Sequence, residues 1–226
     1  MLALKQGLSL VSTNILGGWQ PSNETGLKAW YKYQTGITLQ VANVYGWADS
    51  SENSFDMRQV TASEQPAYNS GDISFDASKT QNLGSSSDIT LSGAFTIGMK
   101  INVQSGLGVP LASNAENGEF FRFTSTTQLR VRIDNTSAVN LELDSETWGD
   151  GYMVVTRDGS NVITLYWDGV KQTTATPTLS GTANIDTIGV RKTDLNPYDG
   201  TISEIQIFDT ESSAITANVN TYLSNI

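Results

Sequence analysis

Apolar and polar side chains alternate one by one along much of this chain, the period-two pattern of strands that bury a single face. Phe95, Ile97, Met99, Ile101 and Val103 form the longest such series. Residues 120–124, 129–133 and 139–143 repeat it, with polar turns at 125–127 and 134–136 between them. Residues 152–174 carry three short runs of β-branched and aromatic side chains, which predict a three-stranded antiparallel meander. Its first reversal is Asp158-Gly159-Ser160-Asn161. Its second is the two-residue step Asp168-Gly169, where both backbone positions need φ > 0, a demand that Asp and Gly tolerate best. Ile163, Leu165 and Trp167 share one face of the middle strand, and Val162, Thr164 and Tyr166 share the other. Shorter strands are predicted at 27–31, 36–39, 73–75, 185–191 and 201–208. Residues 44–53 place Tyr45 and Trp47 ahead of a polar turn, and 65–68 and 194–200 read as loops.

The two ends differ in kind. After Ser212 or Ser213 as N-cap, Ile215, Val219, Tyr222, Leu223 and Ile226 recur at helical spacing, which predicts one short amphipathic helix over an edge or end of the strands. At the other end Leu2, Leu4, Leu8, Leu10, Val11, Ile15 and Leu16 are irregularly spaced, and Gly17-Gly18 and Pro21-Ser22-Asn23 interrupt them. Residues 1–26 therefore read as an arm or linker and 27–226 as the domain. The arm has two readings: residues 1–20 meet a partner or a second copy, or the segment folds on the domain's own surface. TLSG occurs at 90–93 and again at 178–181, each ahead of TIG, a pair too small to be a repeat.

Composition narrows the chemistry. The 226 residues contain no cysteine and no histidine, so disulfides, thiolate nucleophiles, imidazole bases and Cys- or His-ligated metals are excluded. A formal charge of −10 argues against nucleic acid as a partner, since phosphate contacts need basic patches. No 18-residue apolar run is present, so no transmembrane helix is expected. The opening MLALKQGLSLVSTNIL lacks the charged-then-apolar order of a signal peptide and is expected to belong to the working protein. No cofactor is expected.

Several segments together carry a family resemblance: LKAWYK (27–32), WADSSEN (47–53), QPAY (65–68), ISFD (73–76), FTIGMKI (95–101), VVTRDGSNVITLYWDGV (154–170) and IGVRKTDLNPYDGTISEIQIFD (188–209). In this order they resemble a laminin-G/concanavalin-A-like domain over about residues 27–224. The resemblance implies an all-β, concanavalin-A-like jelly-roll sandwich of two antiparallel sheets with a short C-terminal helix. GGWQPSNE (17–24) ahead of AWYKYQTGI further resembles virion structural proteins of phages that infect marine cyanobacteria. That implies a place on the virion after assembly in the host cytoplasm, with capsid or tail proteins as partners.

Three kinds of site follow. Glu142-Leu143-Asp144-Ser145-Glu146 resembles the E-x-D-x-E strand of concanavalin-A-like glucanases, in which the glutamates are nucleophile and acid/base and the aspartate supports them. Alternation would put Glu142, Asp144 and Glu146 on one face, where repulsion could raise one pKa. Ser145 replaces the usual apolar residue, however, and the motif runs into a turn at 147–151; a solvated acidic face explains it equally well. Tyr45, Trp148, Trp167 and Tyr198 stand beside Asp, Asn or Gly as candidates to stack on a sugar ring, or as half-buried packing residues. Asp194, Asn196 and Asp199 have the oxygen chemistry for Ca²⁺ and read just as well as turn residues around Pro197. The expectation is a non-enzymatic virion surface protein, a capsid decoration or fibre subunit. Host-surface glycan binding is the alternative, and glycoside hydrolysis the less favoured third.

Overall fold

A computed structural model describes residues 18–105, 107–113, 119–133, 137–191 and 195–226. The strands in chain order are β1 (Leu27–Tyr31), β2 (Ile37–Gln40), β3 (Asn43–Trp47), β4 (Met57–Arg58), β5 (Ala67–Asn69), β6 (Asp72–Phe75), β7 (Leu83–Leu91), β8 (Phe95–Val103) and β9 (Gly108–Ala112). They continue with β10 (Glu119–Phe123), β11 (Gln128–Ile133), β12 (Ser137–Glu142), β13 (Asp150–Arg157), β14 (Ile163–Trp167), β15 (Val170–Lys171), β16 (Ala183–Ile188) and β17 (Gly200–Phe208), and the chain closes on helix α1 (Ser213–Leu223).

All pairings among these strands are antiparallel, and they build two layers. One runs β15-β14-β13-β8-β17, with β1 and β6 sharing the far side of β17. The other runs β12-β11-β10-β9-β16-β7-β4-β3-β2. β5 pairs with both β3 and β6 and carries the hydrogen bonding from one layer into the other. Period-two alternation supplies the core between them. Ile97, Met99 and Ile101 of β8, Met153 and Val155 of β13, and Ile205 and Ile207 of β17 face Phe121, Val131, Leu141, Ile185 and Ile89 from the other layer. In β17 the alternation slips by one at Ser203, where the register with β8 shifts between Ile202 and Glu204. That bulge turns Ile202 and Ile205 inward although they are three apart.

The meander lies where it was expected. Asp168 and Gly169 have φ of +48° and +79°, so the step from β14 to β15 is the tight turn that demands two left-handed positions. Arg157, at the end of β13, is completely buried beside the Phe95 ring. Its guanidinium donates to the carbonyls of Leu91, Gly93, Leu179 and Gly181. These are matched positions in the two TLSG segments, so the doubled motif forms a pair of carbonyl clamps around one cation.

Helix α1 departs from the expected placement. Ser212 caps it, its side chain accepting from Ile215 N at 3.1 Å. The helix covers neither an edge nor an end, but lies on the outer face of the β13-β8-β17 layer. Ile215, Val219 and Leu223 form a second apolar cluster there with Val154 and Phe208. Gly98 makes this possible: a Cβ on it would lie 2.5 Å from Val219 Cγ1 and 3.0 Å from Leu223 Cδ1. The described part of the N-terminal segment also folds against the domain. The Trp19 ring centre lies 6.3 Å from Phe208 and 6.1 Å from Tyr222, and its Nε1 donates to Glu24. Leu2 to Leu16 lie outside the described residues.

Candidate functional site

The candidate aromatics separate sharply. Trp148, Trp167 and Tyr198 are core residues and present no free face to a sugar, which corrects the expectation for these three. Trp148 packs edge-on against Trp167 at 5.1 Å and against Phe123 at 5.0 Å. Tyr198 is 1% exposed, donates its hydroxyl to Asn102 O at 2.7 Å, and has its phenol pKa pushed up by burial. Tyr45 alone of the four is half-buried at the surface.

The acidic motif is also taken apart by the fold. β12 ends at Glu142, and Asp144 and Ser145 lie in the bend beyond it, so the three acids do not share a strand face. Glu142 accepts from Gln128 Nε2 at 2.7 Å. Asp144 accepts from the amides and hydroxyls of Thr173 and Thr174 at 2.6–3.0 Å. Those bonds, Thr174 foremost, lower its pKa to about 2 and make it a clamp across the two loops. Glu146 is exposed. Of the calcium candidates, Asp194 lies outside the described residues. The backbone carbonyls of Asn196 and Asp199 accept from Val109 N and Gln104 N, and no group of three metal-ligating acids occurs among the described residues.

What the sequence did not point to is a groove across the outer face of the second layer. Thr38, Gly46, Arg58, Gly84, Thr187 and Ala112 follow one another across β2, β3, β4, β7, β16 and β9, because register places each opposite the next. Their strand neighbours Trp47, Met57, Leu83, Ile188 and Leu111 point the other way, into the core. Three positions in this row are glycine or alanine; Gly46 and Ala112 are themselves buried, and the sheet surface lies open at Gly84. A Cβ on Gly84 would meet only Asp186 O, at 3.8 Å, so the chain leaves that space open.

Two adjoining concavities occupy this end of the row and share Asp56 and Arg58. One, of about 200 Å³, is walled by Tyr45, Gly46 and Thr38; the other, of about 550 Å³, by Ser54, Gly84, Ser85 and Ser86. Tyr45 is aimed there by a bulge, since the β2–β3 register shifts between Thr38–Gly46 and Leu39–Val44 and leaves it as the extra residue. Arg58 Nη2 lies 3.5 Å from Asp56 Oδ2 with its side chain mostly exposed. Asp56 in turn accepts from Asp49 N at 3.0 Å, and Asp49 collects Trp30 N, Ser51 N, Ser51 Oγ and Phe55 N, so the WADSSEN segment is the brace for this wall. The result is a shallow surface with an aromatic ring, a guanidinium–carboxylate pair and several hydroxyls. Such groups satisfy a hydroxyl-rich, flat ligand.

The comparisons with known proteins agree with the fold. No curated protein matches the chain. In solved structures, Trypanosoma rangeli sialidase superposes with a TM-score of 0.56 at 10% identity, over 88% of this chain and 33% of its own. The binding domain of Paraclostridial Mosquitocidal Protein 1 gives 0.54 at 12%, over 91% and 53%. The binding domain of Botulinum neurotoxin DC, in complex with rat synaptotagmin II, gives 0.54 at 12%, over 88% and 51%. This chain spans a third to a half of those chains, and the likeness is one of fold. Residues 69–216 match the laminin-G model described as the Concanavalin A-like lectin/glucanases superfamily. The chain belongs to the concanavalin A-like lectin/glucanases superfamily.

Proposed function

We propose that this chain is a non-enzymatic surface protein of a phage virion, a capsid decoration or fibre subunit, and that it touches host-surface glycan through the groove beside Tyr45. The observation that carries the binding reading is the open space at Gly84, beside Asp56 and Arg58, between a half-exposed tyrosine and a row of hydroxyls. The non-enzymatic reading is supported by Asp144, whose oxygens are engaged by Thr173 and Thr174, and by the separation of the three acids beyond the end of β12. The virion assignment is supported by the resemblance of residues 17–24 and the strand after them to marine cyanophage structural proteins. Attachment to other virion proteins, or to a second copy, is assigned to residues 1–20, with Trp19 as the point where that segment is tied to the domain.

A glycan array with wild type, Tyr45→Ala and Gly84→Gln tests the groove. Gly84→Gln fills that space without a backbone clash, so both variants should keep their circular dichroism and bind at least about tenfold more weakly. Unchanged glycan binding in both would remove the groove from consideration. Reducing-sugar release from laminarin, agar or carrageenan that Glu142→Gln abolishes would overturn the non-enzymatic reading. Mass spectrometry of purified particles tests the virion assignment, and absence of the chain from them would sink it.

A further inference from the structure

On the opposite side of the sandwich, along one flank of helix α1, lies an open pocket of about 450 Å³, within the roughly 300–1,000 Å³ typical of small-ligand pockets. Three separate parts of the chain wall it: Trp19 and Gln20 before β1, Lys32 just after β1, and Asn218, Tyr222 and Asn225 from α1 and its tail. Its aromatic wall is fixed in place. Tyr222 meets the Trp19 ring edge-on at 6.1 Å and the Trp30 ring at 6.2 Å. Behind them the Glu204 carboxylate is completely buried. It accepts from Trp30 Nε1 at 2.7 Å, Gln206 Nε2 at 2.8 Å and Tyr33 N at 2.9 Å, and it stands next to the Tyr222 hydroxyl. The Ser203 bulge is what brings Glu204 to this outer face. Lys32 Nζ lies 4.7 Å over the Trp30 ring and within the field of Glu204.

We propose that this cavity is a second binding site, for a single neutral pyranose unit. The apolar edge of a sugar ring would lie against Trp19 and Tyr222, while Gln20, Asn218 and Asn225 bond its hydroxyls through their amides and Lys32 donates to another. Neutrality follows from the lining: Lys32 is its one charged side chain, and that ammonium already lies over the Trp30 ring on the side of Glu204, so an anionic sugar gains little at this site. The proposal is independent of the Tyr45 groove, which lies on the other layer, and two sites on opposite faces would let one subunit engage two glycan chains.

Tryptophan fluorescence of the full-length protein reads the site directly. Trp19 is half-buried at the cavity, whereas the other four tryptophans are at most 7% exposed. Titration with the methyl glycosides of glucose, galactose and mannose, and with glucuronate, should give a saturable change with at least one neutral sugar and a weaker one with glucuronate. Lys32→Met and Asn218→Ala should each weaken it by about tenfold, while Tyr45→Ala and Gly84→Gln leave it unchanged. No saturable change with any neutral sugar would overturn the proposal. So would tighter binding of glucuronate, or a response that persists in both Lys32→Met and Asn218→Ala. A response lost only in Tyr45→Ala would return all binding to the groove.

Discussion

Glu204 is a carboxylate completely buried on the outer side of β17, beneath α1 and opposite Lys100 in the register with β8. Burial is the largest influence on it and pushes its pKa up. The bonds from Tyr33 N–H, Gln206 and Trp30, together with Lys32, pull in the other direction without cancelling it. A raised folded-state pKa fixes the sign of the linkage. The group's contribution is fully present below the unfolded value of about 4.3, and it is lost as the pH rises through the folded value. Glu204→Gln removes that titration. In urea unfolding, the stability of the variant relative to wild type should therefore improve as the pH rises above the unfolded value of about 4.3. A difference that stays flat over that range would mean that the carboxyl titrates as if exposed. No run of sequence marks Glu204 as special. In TISEIQIF it is the second of two adjacent polar residues, and only the bulge at Ser203 and the arrival of Trp30 and Tyr222 give it a role.

At the scale of elements, the hairpin from β14 to β15 is the part most firmly written in local sequence. Positive φ at Asp168 and Gly169 is a steric requirement that neighbouring strands do not relieve. Asp168 also accepts from Tyr152 N at 2.9 Å, which ties the turn to β13. Gly169→Val would force a β-branched residue into the left-handed region and bring its Cβ to 3.0 Å from Tyr152 Oη, at a cost of roughly 1–2 kcal/mol. Thermal unfolding should register this as a drop in Tm; an unchanged Tm would show that the turn relaxes to another type. β8 and β11 were equally legible, because each alternates over six or more residues. β7 and β9 were not. LGSSSDITL has serines where a periodic strand would have apolar residues, and GVPLA is buried throughout, so neither carries a period-two signal. β5 was read as part of a loop because its three residues are strand only through the β3 and β6 partners that flank it.

For the molecule as a whole, the charge of −10 and the lack of histidine and cysteine bear on what holds the fold together. The described residues contain no group of three acids placed to bind a metal, and Arg157 with its four carbonyl partners provides an internal cation of the chain's own. EDTA should therefore leave Tm within about 2 °C, less than one kcal/mol for a chain of this size. A larger fall, reversed by calcium, would point back to the loop that holds Asn196 and Asp199.

By itself the sequence determined the all-β class, the meander, the tight turn at Asp168-Gly169 and the capped C-terminal helix. Each of these rests on interactions between residues close along the chain: alternation, φ preference and a side-chain cap. The tertiary structure decided where the helix lies, which aromatics are free and where ligands can reach the surface. Gly98 and Val154 admit α1 only once they stand side by side in neighbouring strands. Trp148, Trp167 and Tyr198 look like binding residues until the two layers close over them. Gly46 and Gly84 lie 38 positions apart, and the two concavities they line adjoin because β4 sits between their strands and pairs with both. A pattern along the chain specifies which side chains face inward; the empty space between strands is specified only by which strands are neighbours.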